Sequence, residues 1–221
     1  MPPSGRASIP EATVARLPLY HRCLLDLQAE GRSKVSSEQL AELAGVNAAK
    51  VRKDLSHFGS YGTRGVGYDV ERLLVEIATE LNLDHDWPCV IVGAGNLGSA
   101  LATFAGFTNR GFTVVGVLDV DPAKVGRRLG DLTVRHQDEL ADLVAAEGVA
   151  IGIVAVPPAA AQEAADRLVE NGITSILNFA PTVLDVPTTV KVRDVDLAVE
   201  LQILAFHEDR SRTAPSTRSA G

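Results

Sequence analysis

The stretch Cys89-Val90-Ile91-Val92-Gly93-Ala94-Gly95-Asn96-Leu97-Gly98 decides the fold of this 221-residue chain. Its first four residues form a continuous apolar run, which predicts a buried strand, and the glycines then follow the pattern Gly-x-Gly-x-x-Gly where a helix begins. Such glycines permit a tight turn and the close approach of a pyrophosphate to helix N-terminal amides. The stretch therefore predicts a Rossmann-type nucleotide-binding turn, with five binding residues: Gly93, Gly95, Asn96, Leu97 and Gly98.

The residues after this turn alternate between predicted strands and helices. Five further strands are expected at 112–118, 132–135, 149–156, 173–177 and 190–195. This alternation is typical of a doubly wound parallel sheet, in which ligands bind beyond the carboxyl ends of the strands. Two loops there, Pro157-Pro158 and Asn178-Phe179-Ala180-Pro181, are expected to line the nicotinamide half. Val156, Pro157 and Asn178 are the candidate contacts, and ordinary turn chemistry is the alternative for the prolines.

Asp119 ends the second predicted strand, 21 residues after Gly98. A carboxylate there binds the adenosine ribose hydroxyls of NAD and should repel the 2′-phosphate of NADP. The alternative is a turn or helix N-cap residue, a role that Asp121 could fill instead. We predict that Asp119 binds ribose.

The residues before the turn read as a DNA-binding head. Helices are predicted from Pro10 to Gly31, with a break at Pro18, from Ser36 to Gly45, and from Asn47 to Phe58. A small residue, a turn glycine and a branched apolar residue have helix-turn-helix spacing: Ala41, Gly45 and Val51. The outer face of the third helix suits a major groove, with candidate contacts Ala49, Lys50, Arg52, Lys53, Ser56 and His57. The alternative is a three-helix scaffold with a solvated basic face.

A glycine-rich segment, 59–68, surrounds Arg64 directly after the third helix. It predicts a hairpin wing whose tip, carrying Arg64, enters a minor groove, and an ordinary glycine-rich loop is the alternative. An amphipathic helix, 70–81, then leads through the acidic linker 84–86 into the nucleotide-binding region.

Charge and composition restrict the classes of function. The net charge is −7, but the first 80 residues carry equal numbers of basic and acidic residues, so the acidic excess lies downstream and the head keeps a local basic surface. Cys23 and Cys89 are the only cysteines and both lie in apolar stretches, which predicts reduced, buried thiols and no metal site. No leader or membrane-spanning run is recognisable, so a cytoplasmic protein is expected.

The last predicted helix, 196–207, is apolar on two faces. Leu197, Leu201 and Leu204 lie on one side, with Val199, Ile203 and Phe206 nearly opposite. A helix apolar on two faces must be buried between two bodies, which predicts a helix swapped between the subunits of a homodimer, whereas packing within its own chain is the alternative. Residues 208–221 are polar and are expected to form a disordered tail.

We therefore expect a winged-helix DNA-binding domain at 1–83, a Rossmann NAD(H)-binding domain at 84–195 and a swapped helix at 196–207. The chain ends before a substrate domain could follow, so the nucleotide is expected to be a signal and the protein not to be an enzyme. A small NAD-dependent oxidoreductase with an accessory helical domain is the alternative, although the histidines lack a recognisable acid-base partner. An adenine-nucleotide or acyl-CoA sensor is a third possibility, which Asp119 disfavours.

The chain resembles the Rex family of bacterial redox-sensing repressors over residues 9–207. The resemblance rests on five motifs in one order: Val51-Arg52-Lys53-Asp54-Leu55, Gly62 to Val70, Gly93 to Gly98, Ile176 to Pro181 and Val195-Asp196-Leu197. It implies a homodimer with a swapped C-terminal helix that binds palindromic operators in double-stranded DNA and is released by NADH. We expect the NAD⁺-bound or empty form to be the one that fits DNA. It also places Phe104 near nicotinamide, where the family often has tyrosine, and Asp196 and Leu197 near the nicotinamide of the other subunit.

Overall fold

The computed structural model describes residues 9–58, 62–63 and 67–213. The chain divides into two compact units, residues 1–85 and 86–221.

The first unit is a helical bundle with a small sheet. Its elements are α1 (Glu11–Val14), α2 (Leu17–Ala29), β1 (Lys34–Val35), α3 (Ser37–Ala44), α4 (Ala48–Leu55), β2 (Gly62–Thr63), β3 (Gly67–Asp69) and α5 (Val70–Glu80), with a 3₁₀ turn, Ser56–Phe58, after α4. The break expected at Pro18 is present, because α1 stops at Val14 and α2 starts again with Pro18 in its first turn. The core is apolar, and its largest fully buried side chains include Tyr20, Leu24, Leu40, Leu55, Leu73 and Ile77.

Side-chain caps define the helix-turn-helix. Ser36 Oγ accepts a hydrogen bond from the Gln39 amide at 3.1 Å, and Gln39 Oε1 accepts one from the Ser36 amide at 3.0 Å. Gly45 ends α3 in the left-handed region, with φ of 65°. Asn47 Oδ1 accepts from the Lys50 amide at 2.8 Å and begins α4. The predicted capping box, turn glycine and N-cap are confirmed.

The hairpin predicted after the third helix forms two strands of a three-stranded sheet, in the order β1-β3-β2 with antiparallel pairing. Strand β1 was not predicted, because two residues are too few to show an alternating pattern. Arg64, predicted at the wing tip, lies outside the described residues. The winged-helix architecture is confirmed as far as the described residues extend.

The second unit is built around a mostly parallel sheet. Its elements are β4 (Trp87–Val92), α6 (Asn96–Ala102), α7 (Ala105–Thr108), β5 (Phe112–Asp119), β6 (Arg128–Leu129), β7 (Leu132–His136), α8 (Leu140–Glu147), β8 (Ile151–Val154), α9 (Pro158–Glu170), β9 (Ser175–Asn178), β10 (Lys191–Asp194) and α10 (Leu197–Thr213). The strand order is β10-β9-β8-β4-β5-β7-β6, with only β6 antiparallel to its neighbour among the described strands. The predicted doubly wound sheet is confirmed, and β6 was too short to predict.

Both faces of the sheet are covered. Val90 and Val92 pack towards α8 and α9, whereas Cys89 and Ile91, on the opposite face of the same strand, pack in the cluster that includes Leu101 of α6. Burial on two faces explains the continuous apolar run of β4.

The C-terminal helix differs from the prediction at its end. Helix α10 continues to Thr213, so residues 208–213 are helical and the prediction of a disordered tail from 208 is wrong there; residues 214–221 lie outside the described part of the chain. The helix continues because residues 208–213 include no proline or glycine to stop it. Its apolar side chains on both faces are exposed in the single chain: Leu197, Val199, Leu201, Ile203, Leu204 and Phe206.

Candidate nucleotide-binding and DNA-binding sites

The glycine turn lies where the strand order of the sheet reverses. Strand β4 is bordered by β5 on one side and by β8 on the other, and the chain crosses from one half of the sheet to the other between β7 and β8. In sheets of this type, ligands usually bind in the crevice beyond the carboxyl ends of the two strands at such a point, which here are β4 and β8.

Close packing explains two of the three glycines. Gly93 has φ of +109°, and a Cβ there would lie 2.5 Å from the Ala155 carbonyl oxygen and 2.9 Å from Val156 Cγ1. A Cβ at Gly98 would collide with the Gly93 carbonyl oxygen. Gly95 is different, because a Cβ there would meet no protein atom within 4 Å. Gly93 and Gly98 close the turn, and Gly95 leaves free space in front of it.

The free space adjoins the first turn of α6. Gly95 is the N-cap residue and makes no side-chain cap, while Asn96 and Leu97 are exposed at the helix start. First-turn amides have no acceptor within their own helix, and the helix dipole makes them favourable for an anion. This geometry suits a pyrophosphate in front of Gly95.

Asp119 lies at the carboxyl end of β5 and is tied to the glycine turn. Its Oδ2 accepts hydrogen bonds from the Ala94 amide at 2.7 Å and from Lys124 Nζ at 3.0 Å, and its Oδ1 accepts from the Asp121 amide at 2.9 Å. Burial opposes ionisation, but these hydrogen bonds lower the pKa of Asp119 below its usual value. The carboxylate is therefore ionised and fixed beside the turn.

Two neighbours of Asp119 were not predicted from the sequence. Lys124 forms the ion pair just described, and the β5–β7 register places His136 opposite Asp119 at the same sheet edge. In the sequence, only the Asp121-Pro122 turn indicates that Lys124 could lie near Asp119, because a turn there brings the chain back towards the carboxylate. Lys124 reduces the net negative charge that a 2′-phosphate would meet.

The candidate nicotinamide contacts differ in accessibility. Val156 and Pro157 follow β8 at the crevice, and Val156 is half-buried against the glycine turn. The Phe104 ring is half-exposed and meets the Phe107 ring edge-on, with centroids 5.3 Å apart. At the start of α10, Asp196 Oδ1 accepts from the Ala198 amide at 2.9 Å, and Leu197 is exposed.

Asn178 has a mainly structural position. Its side chain is fully buried, its amide donates to the Thr182 carbonyl and to Asp194 Oδ1, both at 2.9 Å, and its Oδ1 accepts from the Ala180 amide at 3.0 Å. These bonds hold the loop after β9 in place. A direct contact with nicotinamide would require this side chain to become uncovered, so its role stays a prediction.

The outer face of α4 is accessible, as its pattern predicted. Val51 and Leu55 are buried, while five of the predicted DNA contacts are exposed: Ala49, Lys50, Arg52, Lys53 and Ser56. His57 differs, because it is half-buried in the 3₁₀ turn and its Nε2 atom is buried with no hydrogen-bond partner among the described residues. A helical period that continues to Phe58 predicts an exposed His57, but α4 ends at Leu55 and the tighter 3₁₀ turn rotates the side chain.

A buried ionic cluster fixes the orientation of α4. Asp54 is only 1% exposed and accepts hydrogen bonds from Arg16 Nε at 2.7 Å, Arg16 Nη2 at 2.8 Å, Tyr20 Oη at 2.8 Å and Thr13 Oγ1 at 2.9 Å. Burial opposes ionisation of Asp54, but these bonds lower its pKa below the usual value, and burial raises the pKa of Tyr20. The cluster joins α4 to α1 and α2.

The cations on α4 are not equivalent. Arg52 Nη1 donates to Glu38 Oε1 and to Ser37 Oγ, both at 2.9 Å, whereas no carboxylate among the described residues forms an ion pair with Lys50 or Lys53. Two free ammonium groups and one restrained guanidinium therefore lie on this face.

Other features of the described residues do not add a site. A cavity of about 410 Å³ lies at the amino-terminal half of the sheet, lined by Cys89, Ile151, Ser175 and Lys191 among others, on the side away from the glycine turn. No cluster of three or more His, Cys, Asp or Glu suited to a metal ion occurs in the described ranges. None of the helices described is long and apolar enough to span a membrane.

Comparison with known proteins identifies relatives that match most of the chain. A family model described as a putative DNA-binding protein N-terminus matches residues 8–56, and one described as a CoA binding domain matches residues 84–182. The redox-sensing transcriptional repressor Rex of Streptomyces avermitilis is 59% identical over 209 residues, which are 95% of this chain and 83% of that protein. Rex of Pelotomaculum thermopropionicum is 50% identical over 90% of this chain and 93% of its own.

Solved structures of a Rex-family repressor are also similar to this chain. RSP, a Rex-family repressor, superimposes with a TM-score of 0.85 at 36% identity, covering 93% of this chain and 96% of its own. RSP in complex with β-NAD⁺ and operator DNA gives 0.85 at 36% identity, and RSP in complex with β-NADH gives 0.84 at 35%; both cover 93% of this chain, and 95% and 97% of theirs.

Proposed function

The chain belongs to the Rex family of redox-sensing transcriptional repressors, and we propose that it represses transcription from a DNA operator and leaves that operator when NADH binds. The observation that carries the proposal is the presence, in one chain, of a glycine-turn crevice with a fixed carboxylate and of a helix-turn-helix with an exposed cationic face. The relative RSP has been solved with β-NAD⁺ and operator DNA and with β-NADH.

The nucleotide would lie across the crevice between β4 and β8. Its pyrophosphate would face Gly95 and the amides of Asn96 and Leu97, and its adenosine ribose would approach the Asp119 carboxylate. The buried anion next to the ribose favours NAD(H) over NADP(H), although Lys124 moderates this preference.

A homodimer would both bury the exposed faces of α10 and match a palindromic operator. The two apolar faces of α10 are exposed in the single chain, and a second copy that received this helix would bury them. A two-fold dimer carries two copies of α4 and therefore matches a palindromic operator. Nucleotide binding that changes how the two copies are arranged would move the recognition helices out of register with the half-sites.

The polarity of the switch would come from the nicotinamide ring. A ring held between Phe104 and the partner's Leu197 would lie in apolar surroundings, which favour neutral NADH over the cationic ring of NAD⁺. The partner's Asp196 carboxylate opposes this preference. Phe104 has no hydroxyl to donate to Asp196, so any coupling between them depends on packing rather than on a hydrogen bond.

We assign NADH and NAD⁺ the role of signals in a cytoplasmic regulator rather than of reagents in an enzyme. The test is operator release. A DNA duplex is first selected by the protein from a random library. The protein should dissociate from this duplex as the NADH:NAD⁺ ratio rises, and fluorescence anisotropy of the labelled duplex follows the release. Release by NAD⁺ rather than by NADH would reverse the proposed polarity, and steady turnover of NADH with a simple ketone or aldehyde would favour an oxidoreductase.

A further inference from the structure

Glu38 is an acidic residue on a surface that is expected to face DNA. It lies in the first turn of α3, the helix that crosses the DNA backbone in helix-turn-helix proteins, and its carboxylate pairs with Arg52 of the recognition helix α4 at 2.9 Å. The two side chains are 68% and 54% exposed. A negative charge is therefore held among the cations that would contact DNA.

A small network maintains this pair. Arg52 Nη1 also donates to Ser37 Oγ at 2.9 Å, and Ser37 Oγ donates to Glu38 Oε1 at 3.1 Å. Ser37 itself is buried, so it anchors the two longer side chains. The pKa of Glu38 is lowered by hydrogen bonds from the Glu38 backbone amide and from the Ser37 side chain. The carboxylate is therefore charged at the neutral pH at which DNA binding is measured.

Glu38 is expected to affect DNA binding more than folding. An ion pair between two exposed side chains contributes little to folding, so the Glu38–Arg52 pair adds little to the stability of the protein. Affinity for DNA of any sequence depends on how many phosphates are neutralised, whereas a bidentate arginine contact to guanine adds discrimination between bases. A guanine edge can therefore replace the carboxylate of Glu38, while a single solvated phosphate gains much less by doing so.

We propose that Glu38 is a specificity-determining residue: it withholds Arg52 from the phosphates of arbitrary DNA and releases it only where a base edge takes its place. This proposal rests on the proposed function, since it requires α4 to enter a DNA groove. Lys50 and Lys53, which lack a carboxylate partner among the described residues, would supply the sequence-independent contacts.

The test compares Glu38→Gln with Glu42→Gln. Glu42 is exposed on the same helix, so the control makes the same change in net charge. The probes are a palindromic duplex selected by the wild-type protein from a random library and a scrambled duplex of equal length, each titrated at several salt concentrations. Glu38→Gln should bind the scrambled duplex about fivefold tighter at low salt, with a log–log salt slope steeper by about one. Its preference for the palindrome should fall, and Glu42→Gln should change little.

Arg52→Ala supplies the second arm of the test. In that background the effect of Glu38→Gln should shrink to that of Glu42→Gln, because the residue acts through Arg52. Three results would overturn the role of Glu38. The two glutamine variants could change DNA affinity equally, or Glu38→Gln could have an undiminished effect in the Arg52→Ala background. Glu38→Gln could also lower the affinity for both duplexes equally. Failure of the wild-type protein to select any palindrome would instead remove the proposed function, and this proposal with it.

Discussion

Replacing Asp54 with asparagine should loosen the DNA-binding unit selectively. Asparagine keeps the shape of the side chain but removes the charge, and its NH₂ group would point at one of the donors that now surround the carboxylate. Because the amide has a single oxygen, Arg16 would keep only one of its two short hydrogen bonds to residue 54, and either Tyr20 or Thr13 would face the NH₂ group.

The expected loss follows from burial. Removing one partner of a buried ion pair costs about 3–5 kcal/mol, and the lower end applies here because the Arg16 side chain is 26% exposed and water can solvate it in part. Thr13→Val removes one neutral donor from the same cluster and should cost about 1 kcal/mol. The loss of stability in Asp54→Asn should therefore be measurably larger than the loss in Thr13→Val.

Hydrogen–deuterium exchange of the whole protein measures this difference in each unit. Amides of α2 and α4 that exchange by opening of the first unit should exchange about a hundredfold faster in Asp54→Asn, the factor equivalent to about 3 kcal/mol. Amides of β4 and β5 provide the internal control and should be unchanged. An increase no larger than that of Thr13→Val, or an equal increase in β4 and β5, would refute the assignment of Asp54 as the ionic anchor of α4.

The same cluster predicts an acid dependence. The pKa of Asp54 is lower in the folded protein than in the unfolded chain, so its stabilisation is present above the unfolded value of about 3.9 and is lost as the pH falls through the folded value. Asp54→Asn should lose this component of the acid sensitivity of the first unit. An acid sensitivity identical to that of the wild type would contradict the contribution of Asp54.

Three further predictions concern the second unit. Asp119→Asn should shift the ratio of NADPH to NADH affinity towards NADPH by about tenfold, or about 1.4 kcal/mol, in calorimetry, and an unchanged ratio would exclude Asp119 from selectivity. Gly98→Ala should lower the stability of the unit by about 1–3 kcal/mol, whereas Gly95→Ala should preserve stability but weaken NADH binding; equal stability losses would contradict the different surroundings of the two glycines. Burial raises the pKa of Cys89 to about 11, so its thiol should resist iodoacetamide at pH 8 until the protein unfolds, and peptide mapping that finds rapid labelling would disprove this.

Local features of the fold could be predicted because the signals lie within a few residues. The apolar run before Gly93 marked β4, Ser36 and Gln39 marked the start of α3, and Asn47 marked the start of α4. Each of these depends on a turn or a cap whose partners are three or four residues apart. The wing strands and the parallel sheet followed from similar short patterns.

Contacts between distant residues could not be predicted in this way. Asp54 meets Thr13, 41 positions away, and nothing in the local pattern distinguishes it from an exposed acid on a basic helix. The ion pair between Lys124 and Asp119 depends on the course of the intervening turn. The predicted end of α10 is wrong because a polar composition does not distinguish a disordered tail from an exposed polar helix.

The proposed function couples a nucleotide crevice to a DNA-binding helix within one chain. Linkage requires that, if NADH weakens operator binding, the operator must weaken NADH binding by the same factor. The most direct measurement is therefore the Kd of NADH, by calorimetry, without DNA and with a saturating palindromic duplex selected by the protein. We expect NADH to bind more weakly with the selected duplex, by the same factor by which NADH lowers operator affinity. A scrambled duplex to which the protein does not bind should leave the Kd of NADH unchanged. An NADH affinity that is the same with and without the selected duplex would show that the two sites are not coupled.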